Sequence, residues 1–201
     1  MNVFEGAFGL LFLLNKNKMN KIMQAIEVLN RQDDFVWLGN YVHTKNLLNL
    51  FWMLQKVEVY KTHREDTLLV YAEDVPFLQE LYPEDNFPAA YLLVYDYYIK
   101  GIPNLLVLQK DFHKLSKAEK KFCYWHELGH AATFNPYATS MHLEYMADEY
   151  AIKKLKSKKG AIRLLSRFFL MFLRRSEVRP GLYMRIKKIK ELSTRDEKVL
   201  S

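Results

Sequence analysis

The chain has 201 residues, 50 % of them hydrophobic and 26 % charged, which is enough to bury a core and ordinary for a globular protein. Its single cysteine, Cys123, excludes an internal disulfide and fits a reducing, cytoplasmic setting. The net charge is +7 and gathers late: from Lys153 to Lys190 fourteen Lys or Arg stand against one acid, Glu177. That run reads either as a solvated helical face or as a surface for nucleic acid, anionic lipid or an acidic protein.

Met1 to Leu14 is apolar, but it lacks a basic leader, carries Glu5 and meets no small-residue cleavage site before Asn15 to Lys18, so a signal peptide is not expected. The other apolar stretch, Ala161 to Leu173, is interrupted by Arg163 and Arg167 and is shorter than the roughly 20 residues a bilayer span needs. No transmembrane segment is expected. Without internal repeats or a Gly/Ser linker, a single domain over 1–201 is the default.

Within that domain, residues 1–56 read as helical. Ile22, Met23, Ile26 and Leu29 recur at helical spacing, as do Leu47, Leu48, Phe51 and Leu54, with Asp33-Asp34 and Gly39-Asn40 as punctuation. Residues 57–112 change character. Val57–Tyr60, Leu68–Ala72, Ala90–Ile99 and Leu105–Leu108 are rich in Val, Leu and Tyr and read as strands, with a hairpin turn over Ile99–Asn104. Residues 113–201 return to helix. Ser116 with Glu119 three residues later forms a capping box that opens the segment carrying the chemistry. Helices, a small mixed or antiparallel sheet and more helices make an α+β fold.

The segment His126-Glu127-Leu128-Gly129-His130 is an HExxH motif. On a helix, residues i and i+4 share a face, so His126 and His130 can reach one zinc ion while Glu127 takes a proton from the attacking water. The small Gly129 allows a neighbouring strand to come close. A catalytic zinc takes three protein ligands and leaves one position open. Downstream, after the helix starters Thr139 and Ser140, Glu144 is the best third ligand, and Asp148, one turn on, can hold a ligand imidazole by its outer nitrogen. His142 competes as a ligand or as an oxyanion stabiliser. Glu149 falls on another side of that helix and reads as a solvent-facing acid. Thr133 and Pro136 stand where the longer HExxHxxGxxH pattern needs Gly and His, which excludes that alternative. Cys123, one turn before His126, reads as a buried small hydrophobe rather than a fourth ligand. The stripe Leu164, Leu165, Phe168, Phe169, Met171 and Phe172 reads as core, and His43, His63 and His113 have no partner at ligand spacing.

HELGH followed by Glu144-x-x-Ala147-Asp148 resembles the gluzincin zinc metallopeptidases, over roughly Gly101 to Leu192. Within them it is most similar to the ExxAD group: the heat-shock and CAAX-processing membrane peptidases, the beta-lactam sensor proteases, the minigluzincins and the soluble ImmA/IrrE-like proteases. The resemblance implies a zincin-like active-site helix, zinc on His126, His130 and Glu144, Glu127 as general base and Asp148 behind the ligands. It also implies a cleft-lining strand that pairs with extended substrate, here Leu105–Leu108. Many relatives carry a late His-Pro followed by Arg-Ile; here Arg179-Pro180 and Arg185-Ile186 stand at that spacing, so Arg179 replaces the histidine. Arg179 and Tyr183 are then candidate oxyanion stabilisers. The lack of membrane spans aligns the chain with the soluble ImmA/IrrE-like proteases and minigluzincins, and the former cut repressor proteins. A zinc endopeptidase acting on a protein or peptide, such as a repressor-type regulator, is therefore the leading expectation. A zinc-stabilised nucleic-acid- or protein-binding module without hydrolysis is its alternative.

Overall fold

The computed structural model describes residues 15–37, 40–81, 89–171 and 179–196. The apolar start, Met1 to Leu14, lies outside them, as do Gly39 and Phe172. The chain divides into two compact units, Met1–Lys110 and Asp111–Ser201.

In the first unit, helix α1 (Asn15–Leu29) buries Ile22, Ala25, Ile26 and Leu29, and packs against α2 (Thr44–Leu54), which buries Leu47, Leu50, Phe51 and Leu54. The helical spacing read from the sequence thus becomes one apolar stripe per helix. Between them lies an element the sequence reading missed: strands β1 (Phe35–Trp37) and β2 (Asn40–Val42) pair antiparallel. Three-residue strands are too short to show an alternating pattern. Beyond α2 come β3 (Tyr60–Lys61), β4 (Thr67–Tyr71), a short α3 (Pro76–Leu81), β5 (Ala90–Leu93) and β6 (Asn104–Leu108). They form a four-stranded mixed sheet in the order β3-β4-β6-β5, with β4 and β6 parallel and the other pairs antiparallel. Thr67-Leu-Leu-Val-Tyr71 and Asn104-Leu-Leu-Val-Leu108 are almost uniformly buried, as continuous apolar strands in a sheet centre should be.

Two expectations about this sheet need correction. The strand begun at Ala90 ends at Leu93 rather than Ile99, because Asn104 Oδ1 accepts from Tyr95 N (2.9 Å) and Asp96 N (3.1 Å) and turns the chain. Asp96 Oδ1 accepts from Gly101 N at 3.2 Å, and Gly101 sits at φ +93°, a backbone conformation open to glycine. Second, Leu105–Leu108 has no free edge for an incoming peptide, since β6 is hydrogen-bonded to β4 on one side and β5 on the other.

The second unit is helical: α4 (Lys117–Thr133), α5 (Ser140–Leu155), α6 (Lys159–Met171) and α7 (Arg179–Asp196). The capping box is present, with Ser116 N donating to Glu119 Oε2 at 2.7 Å and Glu119 N to Ser116 Oγ at 3.5 Å. Thr139 caps α5 by accepting from His142 N. Phe122, Leu128, Ala147, Ala151, Leu164, Leu165, Leu182 and Ile189 are buried, so the early part of the apolar stripe on α6 is core as expected. The α+β class holds. Among the described residues no helix is long and apolar enough to cross a membrane.

Gly129 meets a helix rather than the strand expected of it. A Cβ there would sit 2.9 Å from the Ala147 Cα and 2.9 Å from its carbonyl oxygen. Glycine in HELGH and alanine in ExxAD therefore mark the point where α4 and α5 cross at close range. Replacing a helical glycine with alanine ordinarily gains up to about 1 kcal/mol, but backbone cannot step aside as a side chain can. Gly129→Ala is expected to destabilise by about 1–3 kcal/mol and to lower the melting temperature in a thermal scan; a higher melting temperature would contradict this crossing.

Candidate metal centre

The helix crossing sets four side chains facing one another. His126 and His130 project from one face of α4, and their Nε2 atoms stand 3.2 Å apart. From α5, Glu144 reaches both: Oε2 lies 3.3 Å from His126 Nε2 and Oε1 3.4 Å from His130 Nε2. The three residues form a group whose ligand atoms lie within 4.8 Å of one another. Tetrahedral zinc with bonds of about 2.0–2.1 Å has ligand–ligand edges of about 3.3–3.4 Å. The imidazole–imidazole separation is close to such an edge, Glu144 offers an oxygen to each ring, and two imidazoles with a carboxylate are a donor set zinc accepts, so these residues fit the ion.

One turn beyond Glu144, Asp148 is buried, with Oδ1 2.9 Å from His126 Nδ1. The pair is at hydrogen-bonding distance but not aligned for a straight hydrogen bond. With its proton on Nδ1, the ring turns the lone pair of Nε2 towards the group. Charge on these residues is strongly coupled. Burial works against a charged His126, yet the close contact and charge of Asp148, followed by those of Glu144, raise it to about 10. Burial would raise Glu144 and Asp148 too. The His126 and His130 contacts pull Glu144 well below the usual carboxylate range, and His126 and Arg185 pull Asp148 down. Glu127 behaves oppositely: burial pushes it up, against the pull of the two imidazoles.

The residue that sequence reading underrated is Arg185 on α7. Its Nε and Nη2 donate to the two Asp148 oxygens at 2.8 and 2.7 Å, and Nη1 lies 2.6 Å from Glu144 Oε2. The guanidinium thus holds the Glu144 and Asp148 carboxylates, and its own pKa is raised by that contact after burial's opposing effect. The sequence did carry a signal. Leu182, Arg185, Ile186 and Ile189 share one helical face, and an arginine on an apolar face calls for a buried acid.

Other candidates fall outside the group. Tyr183 is 58 % exposed and lies about 200° round α7 from Arg185, so it is not brought to the cluster. Arg179 is the first residue of α7 and its side chain lies outside the described residues. His142 is exposed, and Glu149 pairs with Lys153 at 2.8 Å on the surface. Cys123 is buried, and burial followed by the charge of Glu127 holds its thiol well above the usual range, in keeping with a packing role. No family model, curated protein or solved structure matches this chain, so the gluzincin resemblance stands on its motif residues.

Without metal, His126 keeps its ring proton throughout the neutral range, because its value of about 10 lies well above pH 7. A ligand imidazole must be neutral at the coordinating nitrogen. Zinc binding at pH 7 is therefore expected to release about one proton, and affinity is expected to rise with pH up to about 10. Calorimetric titrations in buffers of different protonation enthalpy measure this; a buffer-independent heat would contradict the assigned charge state.

Proposed function

We propose that this protein is a zinc-dependent endopeptidase, a metallopeptidase of the gluzincin type. The observation that carries the reading is the convergence of His126, His130 and Glu144, one ligand atom from each within 4.8 Å of the others, with Glu127 buried on the same helix as the two histidines. His126, His130 and Glu144 would hold the ion. When bound, zinc supplies a Lewis acid that brings a water's pKa near neutrality and polarises a carbonyl oxygen.

The chain's own residues do the rest. Asp148 keeps the His126 proton on Nδ1, and Arg185 keeps Asp148 and Glu144 ionised and fixed. Glu127, made more basic by burial, takes a proton from water as the oxygen attacks the peptide carbonyl carbon. It then gives that proton to the departing amine nitrogen as the C–N bond breaks, so it finishes unprotonated. Oxyanion stabilisation falls to a group beyond these; Arg179 remains the candidate offered by the motif spacing.

A protein or peptide is the proposed substrate. By the resemblance to ImmA/IrrE-like proteases, a repressor-type regulator is the class to test first. The single buried, protonated thiol supports a cytoplasmic setting. Glu127→Gln keeps the shape and removes the base. It is expected to cut the hydrolysis rate by at least about 100-fold while still binding one zinc per chain. Rates on an unfolded protein substrate, with metal content by atomic emission, check this; a fully active variant would refute the assigned base.

A further inference from the structure

Five of the seven residues from Lys153 to Lys159 are lysine, and so are three of the five from Lys117 to Lys121. The second unit brings these two runs together. A Cβ on Gly160 would fall 2.2 Å from the Ala118 carbonyl oxygen, so α6 starts against the first turn of α4. Lys154, in the last turn of α5, holds its Nζ 5.8 Å from the centre of the Trp125 ring and 5.5 Å from that of Tyr150. Lys117, Lys121 and Trp125 recur every four residues along one face of α4. The link from α5 to α6 is thus anchored on α4 at both ends and borders this row. Lys117, Lys154, Lys156 and Lys159 are exposed and Lys121 is partly so. Lys158 adds its charge from beneath, its Nζ buried without a hydrogen-bond partner. Little negative charge offsets them. Between Phe112 and His126 the one acid is Glu119, which is buried and bound to Arg167, and from Tyr150 to Met171 there is none. Glu149, just before that stretch, pairs with Lys153.

We infer that this lysine surface, made by the start of α4, the end of α5 and the start of α6, binds the phosphate backbone of duplex DNA without reading its sequence. Lysine ammonium groups act as point charges that neutralise phosphates and release their counterions. Phosphate contacts position a protein on DNA without discriminating bases. A single strand is held largely by open aromatic faces on which its bases stack. The rings on this surface are already engaged, Trp125 with Tyr124, Tyr150 and Lys154. Among the described residues, the well-exposed large apolar side chains all lie outside 111–125 and 147–163. The surface therefore offers a bilayer nothing to bury and a protein partner no apolar centre. The metal centre takes no part, since Lys121 lies about 140° round α4 from His126.

Fluorescence anisotropy of the full chain with short labelled DNA duplexes, at about 50 and 200 mM salt, tests this. Affinity is expected to fall about 100-fold or more between the two, as neutralising four or five phosphates requires, and to be equal for duplexes of unrelated sequence. Lys117→Gln/Lys121→Gln and, separately, Lys156→Gln/Lys159→Gln are each expected to weaken binding about tenfold and to lower the salt slope by about two, with unchanged melting temperature. Two separate pairs keep the test decisive should one variant fold poorly. Lys187→Gln/Lys190→Gln removes the same charge from α7 and is expected to leave affinity within about twofold. Absence of binding, binding indifferent to salt, or an equal loss in all three variants would overturn the inference. Tighter binding of a single strand of the same sequence would overturn it too, as would tighter binding to phosphatidylserine vesicles through the same lysines.

Discussion

Glu144 and Asp148 lie one turn apart on α5, and neither carboxylate is stable where it sits without the cations around it. His126 stands beside both and Arg185 grips both, the Asp148 side chain being 3 % exposed and that of Arg185 13 %. For Asp148 and Arg185, taking such charges out of water costs several kcal/mol each, and removing one partner of a buried pair typically costs about 3–5 kcal/mol; Glu144, 34 % exposed, keeps part of its hydration. The geometry of the group is therefore enforced by electrostatics. Each charge is satisfied only when α4, α5 and α7 all stand where they do. The same cluster that fixes three helices also gathers two imidazole nitrogens and a carboxylate, one ligand atom of each within 4.8 Å of the others. A divalent cation placed there would supply positive charge to the carboxylate and displace the His126 proton.

The close approach of α4 and α5 is what allows this. Ligands from two helices can share one ion only if the backbones come near, and the Gly129–Ala147 contact brings them within the reach of a missing Cβ. A second small residue does comparable service at the start of α6. A Cβ on Gly160 would meet the Ala118 carbonyl oxygen at 2.2 Å, so α6 rests directly on the first turn of α4. Nearby, Glu119 both completes the cap of α4 and pairs with Arg167 of α6. Small residues and a buried capping acid together hold the motif helix from both of its neighbours.

Much of this was legible in the sequence because the signals were local. The capping box at Ser116 and Glu119, the i, i+4 spacing of His126 and His130 and the apolar runs of β4 and β6 depend on residues a few positions apart. What escaped was non-local or short. Three-residue strands at 35–37 and 40–42 carry no usable periodicity. The central place of β6 followed from its pairing with β4, thirty-seven residues earlier in register, which no local pattern records. Arg185 sits thirty-seven residues from Asp148, and only its place on an apolar helical face hinted at a buried acid. Gly129 was rightly read as a site of close approach, but the approaching partner was a helix.

The central claim is that His126, His130 and Glu144 share one zinc ion. Anomalous diffraction from crystals of the zinc-loaded protein, recorded on both sides of the zinc absorption edge, addresses it directly. The expected result is a single strong peak about 2.0–2.2 Å from His126 Nε2, His130 Nε2 and a Glu144 carboxylate oxygen. A peak held by other side chains, or none near these three in fully loaded crystals, would contradict the account.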